Sequence, residues 1–188
     1  MDKNKKRVLF RGVWLCAIVA GAVAPLTPRP RPRFEDFPAT PSSLVHHAPL
    51  KLNLRAERMF KTRLTEAAAK APNFAGNLRS VGWGCGSNCG AGAVIDLETG
   101  TVYQPPLAAG KKGWERWALT CGMFDGAGWW GRIDSRLLIV RCGKTWVERI
   151  NSIVPDTYYF VWEGNRFRQL LKIPADQADL PKDAMPLD

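Results

Sequence analysis

The sequence is poor in histidine and lacks the short motifs that mark common enzyme and nucleotide sites. Its two histidines, His46 and His47, are adjacent in a proline-flanked stretch. A nucleophilic pair of one of them with a cysteine stays open as an alternative, because such partners meet only in the fold. No G-x-S-x-G, H-E-x-x-H or Walker sequence occurs. The glycines at 82, 84 and 86 stand outside any strand–helix–strand unit. The sequence therefore predicts no cofactor and no metal.

The folded region lacks the basic surplus of a nucleic-acid-binding protein. Residues 1–33 hold eight Lys/Arg and one Asp and account for +7 of the chain's net charge of +10. Residues 34–188 contribute the remaining +3. A nucleic-acid binder carries its positive charge on the folded body, so we expect no nucleic-acid partner.

The N-terminus has the plan of an export segment. Five Lys/Arg residues within positions 1–11 precede fifteen uncharged residues, positions 12–26, which are fewer than the roughly 20 that span a bilayer as a helix. Residues 1–24 are therefore interpreted as a signal peptide or an uncleaved membrane anchor. This predicts an exported protein, periplasmic or anchored to the inner membrane and facing the periplasm. Membrane contact is expected through this segment alone.

Composition divides the rest of the chain into three parts. Residues 25–43 carry six prolines, interleaved in part with arginines, a pattern typical of an extended tether. Residues 44–173 are expected to form one domain, long enough to bury a core of its own. Residues 174–188 are polar and interrupted by proline, and are interpreted as a tail.

Hydrophobic periodicity within the domain predicts a mainly β, α+β fold. Residues 54–71 show helical spacing and end at Pro72. Strands are expected over 78–84, 91–97, 101–103, 135–142, 157–163 and 166–172. The turns at 98–100 and at Gly164-Asn165 predict hairpins. The expected architecture is an antiparallel sheet assembly with one N-terminal amphipathic helix, stapled by disulfides.

Four cysteines lie within the predicted domain: Cys85, Cys89, Cys121 and Cys142. Cys85 and Cys89 stand four positions apart in a Gly-rich loop. Four cysteines allow three pairings, and behind an export segment a structural disulfide is favoured over a metal or redox site. Cys85–Cys89 is the pairing we predict first, and Cys121–Cys142 would close a longer loop.

Tryptophans cluster in a Gly-rich stretch and form the candidate ligand site. The residues assigned to it are Trp114, Trp117, Trp129, Trp130 and Asp125. Exposed indoles bind sugars, peptides or lipid interfaces, whereas the alternative interpretation places these rings in the core of a small β domain. Adjacent indoles on one strand face opposite sides of a sheet. At least one of Trp129 and Trp130 is therefore expected to be partly exposed.

One block of the sequence resembles a family of uncharacterised exported bacterial proteins. The resemblance is carried by residues 73–76 (NFAG), by WGCGxxC at residues 83–89, and by residues 92–96 and 99–103. Where that family has a histidine-aromatic pair after the first motif, this chain has Asn77 and Leu78. The resemblance implies export and a β-rich fold, and implies no activity.

Three functions are compatible with these patterns. The first is a non-enzymatic binding module of the bacterial cell envelope, with an envelope protein or a glycan as partner. The second is a periplasmic inhibitor or immunity protein directed against a toxin or hydrolase. The third is a glycan-directed hydrolase, which needs two carboxylates in one cleft. Asp125, Asp134 and Glu115 are its candidates.

Overall fold

A computed structural model describes residues 30–43, 46–86, 89–120, 128–147, 152–174 and 185–186. The chain divides into two compact units, residues 1–30 and residues 31–188, and every element below lies in the second. Two helices are present, α1 (Arg55–Met59) and α2 (Lys61–Ala68). The strands are β1 (Leu78–Gly86), β2 (Cys89–Asp96), β3 (Val102–Tyr103), β4 (Gly128–Arg132), β5 (Ser135–Val147), β6 (Ser152–Glu163), β7 (Arg166–Ile173) and β8 (Met185–Pro186). The fold is mainly β, as predicted. Within the described ranges, no helix is long and apolar enough to cross a membrane.

The predicted single helix is two short helices that meet at Phe60. The backbone of Phe60 leaves helical geometry, with φ −109° and ψ 19°, and its ring lies 5.2 Å from the ring of Trp83. Leu64 and Ala67 form the buried face of α2. The break therefore lets the Phe60 ring pack against Trp83 of β1.

The first sheet has the order β1-β2-β3 and is antiparallel throughout. The predicted turn at residues 98–100 joins β2 to β3, and Gly100 adopts a positive φ of 73°. Its position against the backbone of Pro49 leaves no room for a side chain. This part of the fold matches the hairpin predicted from sequence.

The second sheet has the order β7-β6-β5-β4-β8. Strands β4 to β7 follow one another as an antiparallel meander. Gly164 and Asn165 join β6 to β7 with φ values of 53° and 64°, which is the conformation of a tight hairpin turn. The predicted hairpin over 157–172 is confirmed, and β5 and β6 extend further than the sequence predicts.

The two sheets pack face to face, and alternate residues of each strand supply their shared core. Leu78 and Val94 from the first sheet contact an apolar cluster that includes Trp129, Leu138 and Phe160 from the second. The other face of the first sheet is covered by the helices, which bury Leu64 and Ala67 against Ala93 and Ile95. Both faces of each sheet are therefore covered in their central parts.

The outer face of the second sheet is covered by a segment that the sequence predicts to be an extended tether. Residues 34–36 of the predicted tether form a 3-10 turn, and Phe34 is 2% exposed against a cluster that includes Trp130, Ile139 and Tyr159. The Ser135 hydroxyl donates to the Phe34 carbonyl at 2.8 Å. Residues 34–37 of the predicted tether are thus packed on the second sheet, because proline-rich composition does not exclude an apolar anchor.

The C-terminal segment also contributes to the second sheet. Within the predicted tail, Met185–Pro186 form β8 and pair with Gly131 and Trp130 of β4. The predicted leader, residues 1–24, lies outside the described residues.

Candidate binding surface

The prediction that at least one of Trp129 and Trp130 is partly exposed is wrong. Trp129 and Trp130 are 8% and 9% exposed. They do face opposite sides of β4, as the alternation requires. Trp129 faces the other sheet, whereas Trp130 is covered by the Phe34 segment. Both are buried because both faces of the second sheet are covered.

Trp117 is also a core residue. It is fully buried beside the helices and Ala91, and the Arg116 guanidinium lies 5.4 Å from its ring centroid. The side chain of Trp114 and the whole of Asp125 lie outside the described residues. A sequence alone shows indoles in a Gly-rich stretch; it does not show that segments distant in sequence cover them.

The predicted Cys85–Cys89 disulfide is confirmed, with the two Cα atoms 5.1 Å apart. It joins the ends of β1 and β2 at the tip of their hairpin. Cys142 is likewise disulfide-bonded and fully buried between the sheets. Its proposed partner, Cys121, lies outside the described residues.

The carboxylates proposed for hydrolysis are not assembled into a described site. Both carboxylate oxygens of Asp134 accept hydrogen bonds from Arg132, at 2.9 and 2.7 Å, and these bonds hold the pKa of Asp134 below its usual range. Glu115 lies in a separate 3-10 turn, Gly113–Arg116, and Asp125 falls outside the described ranges. Asp134 therefore serves as an ionised structural partner of Arg132.

His47 is a structural residue as well. Its Nδ1 lies 2.6 Å from the carbonyl oxygen of Ala68, so the ring fixes the end of α2. In the described ranges no three His, Cys, Asp or Glu side chains lie close enough together to hold a metal ion.

Sequence analysis missed an ion pair in the second sheet that joins a buried carboxylate to a partly exposed lysine. The carboxylate of Asp156 is 2% exposed and lies 2.6 Å from Lys172 Nζ. The Tyr158 hydroxyl donates to the same carboxylate at 3.4 Å, and burial raises the pKa of this tyrosine. The hydrogen bond to Asp156 raises the pKa of Lys172. Asp156 and Tyr158 lie on β6, and the sequence offers no signal that Lys172 of β7 supplies the cation.

The exposed edge of β1 carries backbone N–H and C=O groups that no described residue bonds. Ser80 directs its N–H and C=O away from β2, because both bond the side chain of Asn73, at 2.8 and 3.1 Å. Strand geometry alternates, so Gly82 and Gly84 direct theirs the same way. Both glycines are exposed. Across the described ranges, no hydrogen bond reaches these four groups.

Side chains near this edge leave the backbone accessible. A Cβ built on Gly84 meets no atom within 4 Å, and one on Gly82 meets its nearest atom, the Ala91 carbonyl oxygen, at 3.7 Å. The edge of the other sheet is different: β7 carries Arg166, Arg168 and Lys172, and charged side chains of this kind discourage strand pairing. β1 has no charged residue over 81–84. Its edge therefore lacks the protection seen on β7.

A cleft of about 570 Å³ lies between α2 and this part of β1. The helix contributes Arg63, Glu66 and Ala67, and Lys70 follows two residues after its end. The strand contributes Arg79, Val81, Gly82 and Trp83. Backbone hydrogen-bonding groups and cationic side chains thus adjoin one another.

Comparison of the chain with protein-family models, with curated proteins and with solved structures finds no match.

Proposed function

We propose that this chain is a non-enzymatic binding module of the bacterial cell envelope, and that it takes an extended segment of a partner protein as an added strand on β1. The observation that carries the proposal is the row of outward N–H and C=O groups at Gly82 and Gly84, which no described residue bonds. An extended peptide satisfies such groups by main-chain hydrogen bonds, a recurring mode of recognition.

Two further features support this assignment. An open strand edge is an aggregation hazard that proteins ordinarily block. The edge strand β7 is protected by charged side chains, whereas residues 81–84 of β1 carry none. The Cys85–Cys89 disulfide closes the hairpin next to the open groups and so limits the conformations of the free edge. A preorganised edge loses less entropy when a segment binds.

The envelope location is proposed from the leader and the disulfide together. Residues 1–24 have the composition of an export segment, and structural disulfides persist in oxidising compartments. The carboxylates named for a hydrolase add no support for catalysis, since Asp134 is engaged by Arg132.

The test uses a proline that removes one outward N–H. In Gly82→Pro the β1–β2 ladder keeps its bonds, because the Gly82 N–H faces away from β2, and proline is tolerated at such edge positions. Gly82→Ala is the matched control, since it keeps the N–H and its Cβ makes an ordinary contact. Peptides selected on the full chain from a displayed library of random linear sequences serve as the probe.

We expect the selected peptides to bind the wild type and Gly82→Ala alike and to bind Gly82→Pro at least about tenfold more weakly, equivalent to about 1.4 kcal/mol. Hydrogen exchange on the wild type, which does not depend on the fold of a variant, should show new protection at the amides of Gly82 and Gly84. Equal binding by the proline and alanine variants, or protection confined to another surface, would refute strand addition on β1.

A further inference from the structure

The cleft beside β1 indicates which kind of segment the edge takes; this step rests on the strand-addition function proposed above. Four charged side chains line the cleft, three of them cations: Arg63, Lys70 and Arg79. The single acid, Glu66, lies 3.6 Å from Arg63. Both members of that pair are about 60% exposed, so water screens their attraction and they can exchange partners readily. The cleft therefore presents a net positive surface.

The cations differ in how firmly they are held. Arg79 is 8% exposed, and its Nη1 donates to the carbonyl of Ala71 at 3.3 Å, which fixes the position of its guanidinium. Lys70 is exposed and forms no ion pair among the described residues. Arg63 and Lys70 can therefore receive carboxylates of a bound strand, and the buried Arg79 adds positive charge to the cleft.

An added strand places its side chains in register with this cleft. Successive side chains of a strand point to opposite faces, so every second residue of the segment faces the side of the sheet that carries α2. Val81 and Trp83 of β1 face that same side, where they pack with the helices. The indole N–H of Trp83 has no hydrogen-bond acceptor among the described residues. Carboxylates at alternate positions of the segment would face the cleft and its exposed cations.

A second copy of this chain is a poorer occupant. Pairing β1 with β1 of another molecule would bring two sets of Arg63, Lys70 and Arg79 to the same side of one continuous sheet. Like charges facing each other across an interface oppose association. Charge complementarity instead favours a partner that supplies negative charge.

We propose that β1 takes an extended acidic segment of a partner protein, with Asp or Glu at alternate positions. One carboxylate reaches Lys70, and the next reaches Arg63 in place of Glu66. The hydrogen bonds of the backbone hold the segment on the edge, and the cations select its composition.

Three synthetic peptides test this selection: one of alternating Val and Glu, one with Gln for every Glu, and one with Lys for every Glu. Their binding is measured by titration calorimetry on the full chain and on Lys70→Glu. Lys112→Glu is the control, because it makes the same change of charge at an exposed position outside the cleft. We expect the Glu peptide to bind best, and Lys70→Glu to weaken it by about tenfold. Lys112→Glu should leave its affinity unchanged.

The outcomes separate the two proposals. If the Glu and Gln peptides bind equally and Gly82→Pro weakens both, strand addition stands and the acidic preference is refuted. If Gly82→Pro has no effect on any peptide that binds, strand addition itself is refuted. If the chain dimerises in sedimentation experiments and Gly82→Pro dissolves the dimer, the occupant is a second copy and the acidic segment is refuted.

Discussion

Gly92 shows at the scale of one residue how closely the two sheets approach. It lies opposite Gly82 in the β1–β2 pairing. A Cβ built on it would lie 2.9 Å from Trp129 Cη2 and 2.9 Å from the Val81 carbonyl oxygen. The indole therefore occupies the space of the missing side chain, and a backbone atom closes the other direction.

We predict that Gly92→Ala lowers the free energy of unfolding by about 1–3 kcal/mol, because the added methyl overpacks the space between the sheets. Gly84→Ala is its control, since a Cβ there meets nothing within 4 Å, and its effect should stay within about 0.5 kcal/mol. Urea denaturation with equal m-values measures both. Equal stability of the two variants would show that the indole moves aside.

Residue-level patterns could be predicted from sequence as far as they are local. The opposite orientation of Trp129 and Trp130 follows from strand alternation alone. Their burial does not, because Phe34 covers Trp130 from almost a hundred positions away. The sequence also could not predict the open edge at Gly82 and Gly84, since glycine in a strand does not indicate whether that strand lies at the edge of its sheet.

Among the structural elements, the segment around Phe34 has a role in packing that its composition does not predict. Its proline content predicts a tether, yet the Arg136 N–H donates to the Phe37 carbonyl at 2.8 Å. Arg132 adds an ion pair with Glu35 at 2.9 Å. A backbone hydrogen bond, an ion pair and a buried ring make this segment part of the folded unit.

Phe34→Ala is predicted to destabilise the chain by about 3–4 kcal/mol, the usual cost of removing a buried phenylalanine side chain. Met59→Ala provides a comparison of similar size at a position 61% exposed, where we expect a change within about 0.5 kcal/mol. Thermal and urea unfolding of the full chain measure the two effects. A Phe34→Ala variant as stable as Met59→Ala would restore the tether interpretation.

Elements closed by short turns were predictable, and those that depend on distant partners were not. Gly164-Asn165 identifies the β6–β7 hairpin from two residues. The break at Phe60 depends instead on Trp83, and β8 depends on the free side of β4. Local propensity contains no information about either contact.

For the molecule as a whole, paired carboxylates set the response to acid. Hydrogen bonds to arginine lower the pKa of Asp134 and of Glu163. A hydrogen bond from the Arg33 backbone does the same for Asp36. A carboxyl whose pKa is lower in the folded state stabilises that state above its unfolded pKa. The contribution is lost as the pH falls through the folded value.

We therefore expect the free energy of unfolding to decrease as the pH is lowered from about 4. In Asp134→Asn this decrease should be shallower, with the difference from the wild type largest near neutral pH. Glu115→Gln, which removes an exposed carboxylate on another turn, serves as the matched control. Urea denaturation at a series of pH values measures the free energy of unfolding of each variant. An identical dependence on pH for the wild type and Asp134→Asn would contradict the prediction.

The distance in sequence between Phe34 and Ser135 also sets the order of assembly. Strands β4 to β7 are joined by neighbouring segments, whereas the Phe34–Ser135 hydrogen bond spans 101 positions. Closing so long a loop is slow compared with forming a hairpin. We therefore expect the meander to form first, with Trp130 and Tyr159 still facing water on its outer side. Until the N-terminal segment docks there, that apolar face is where aggregation competes with folding.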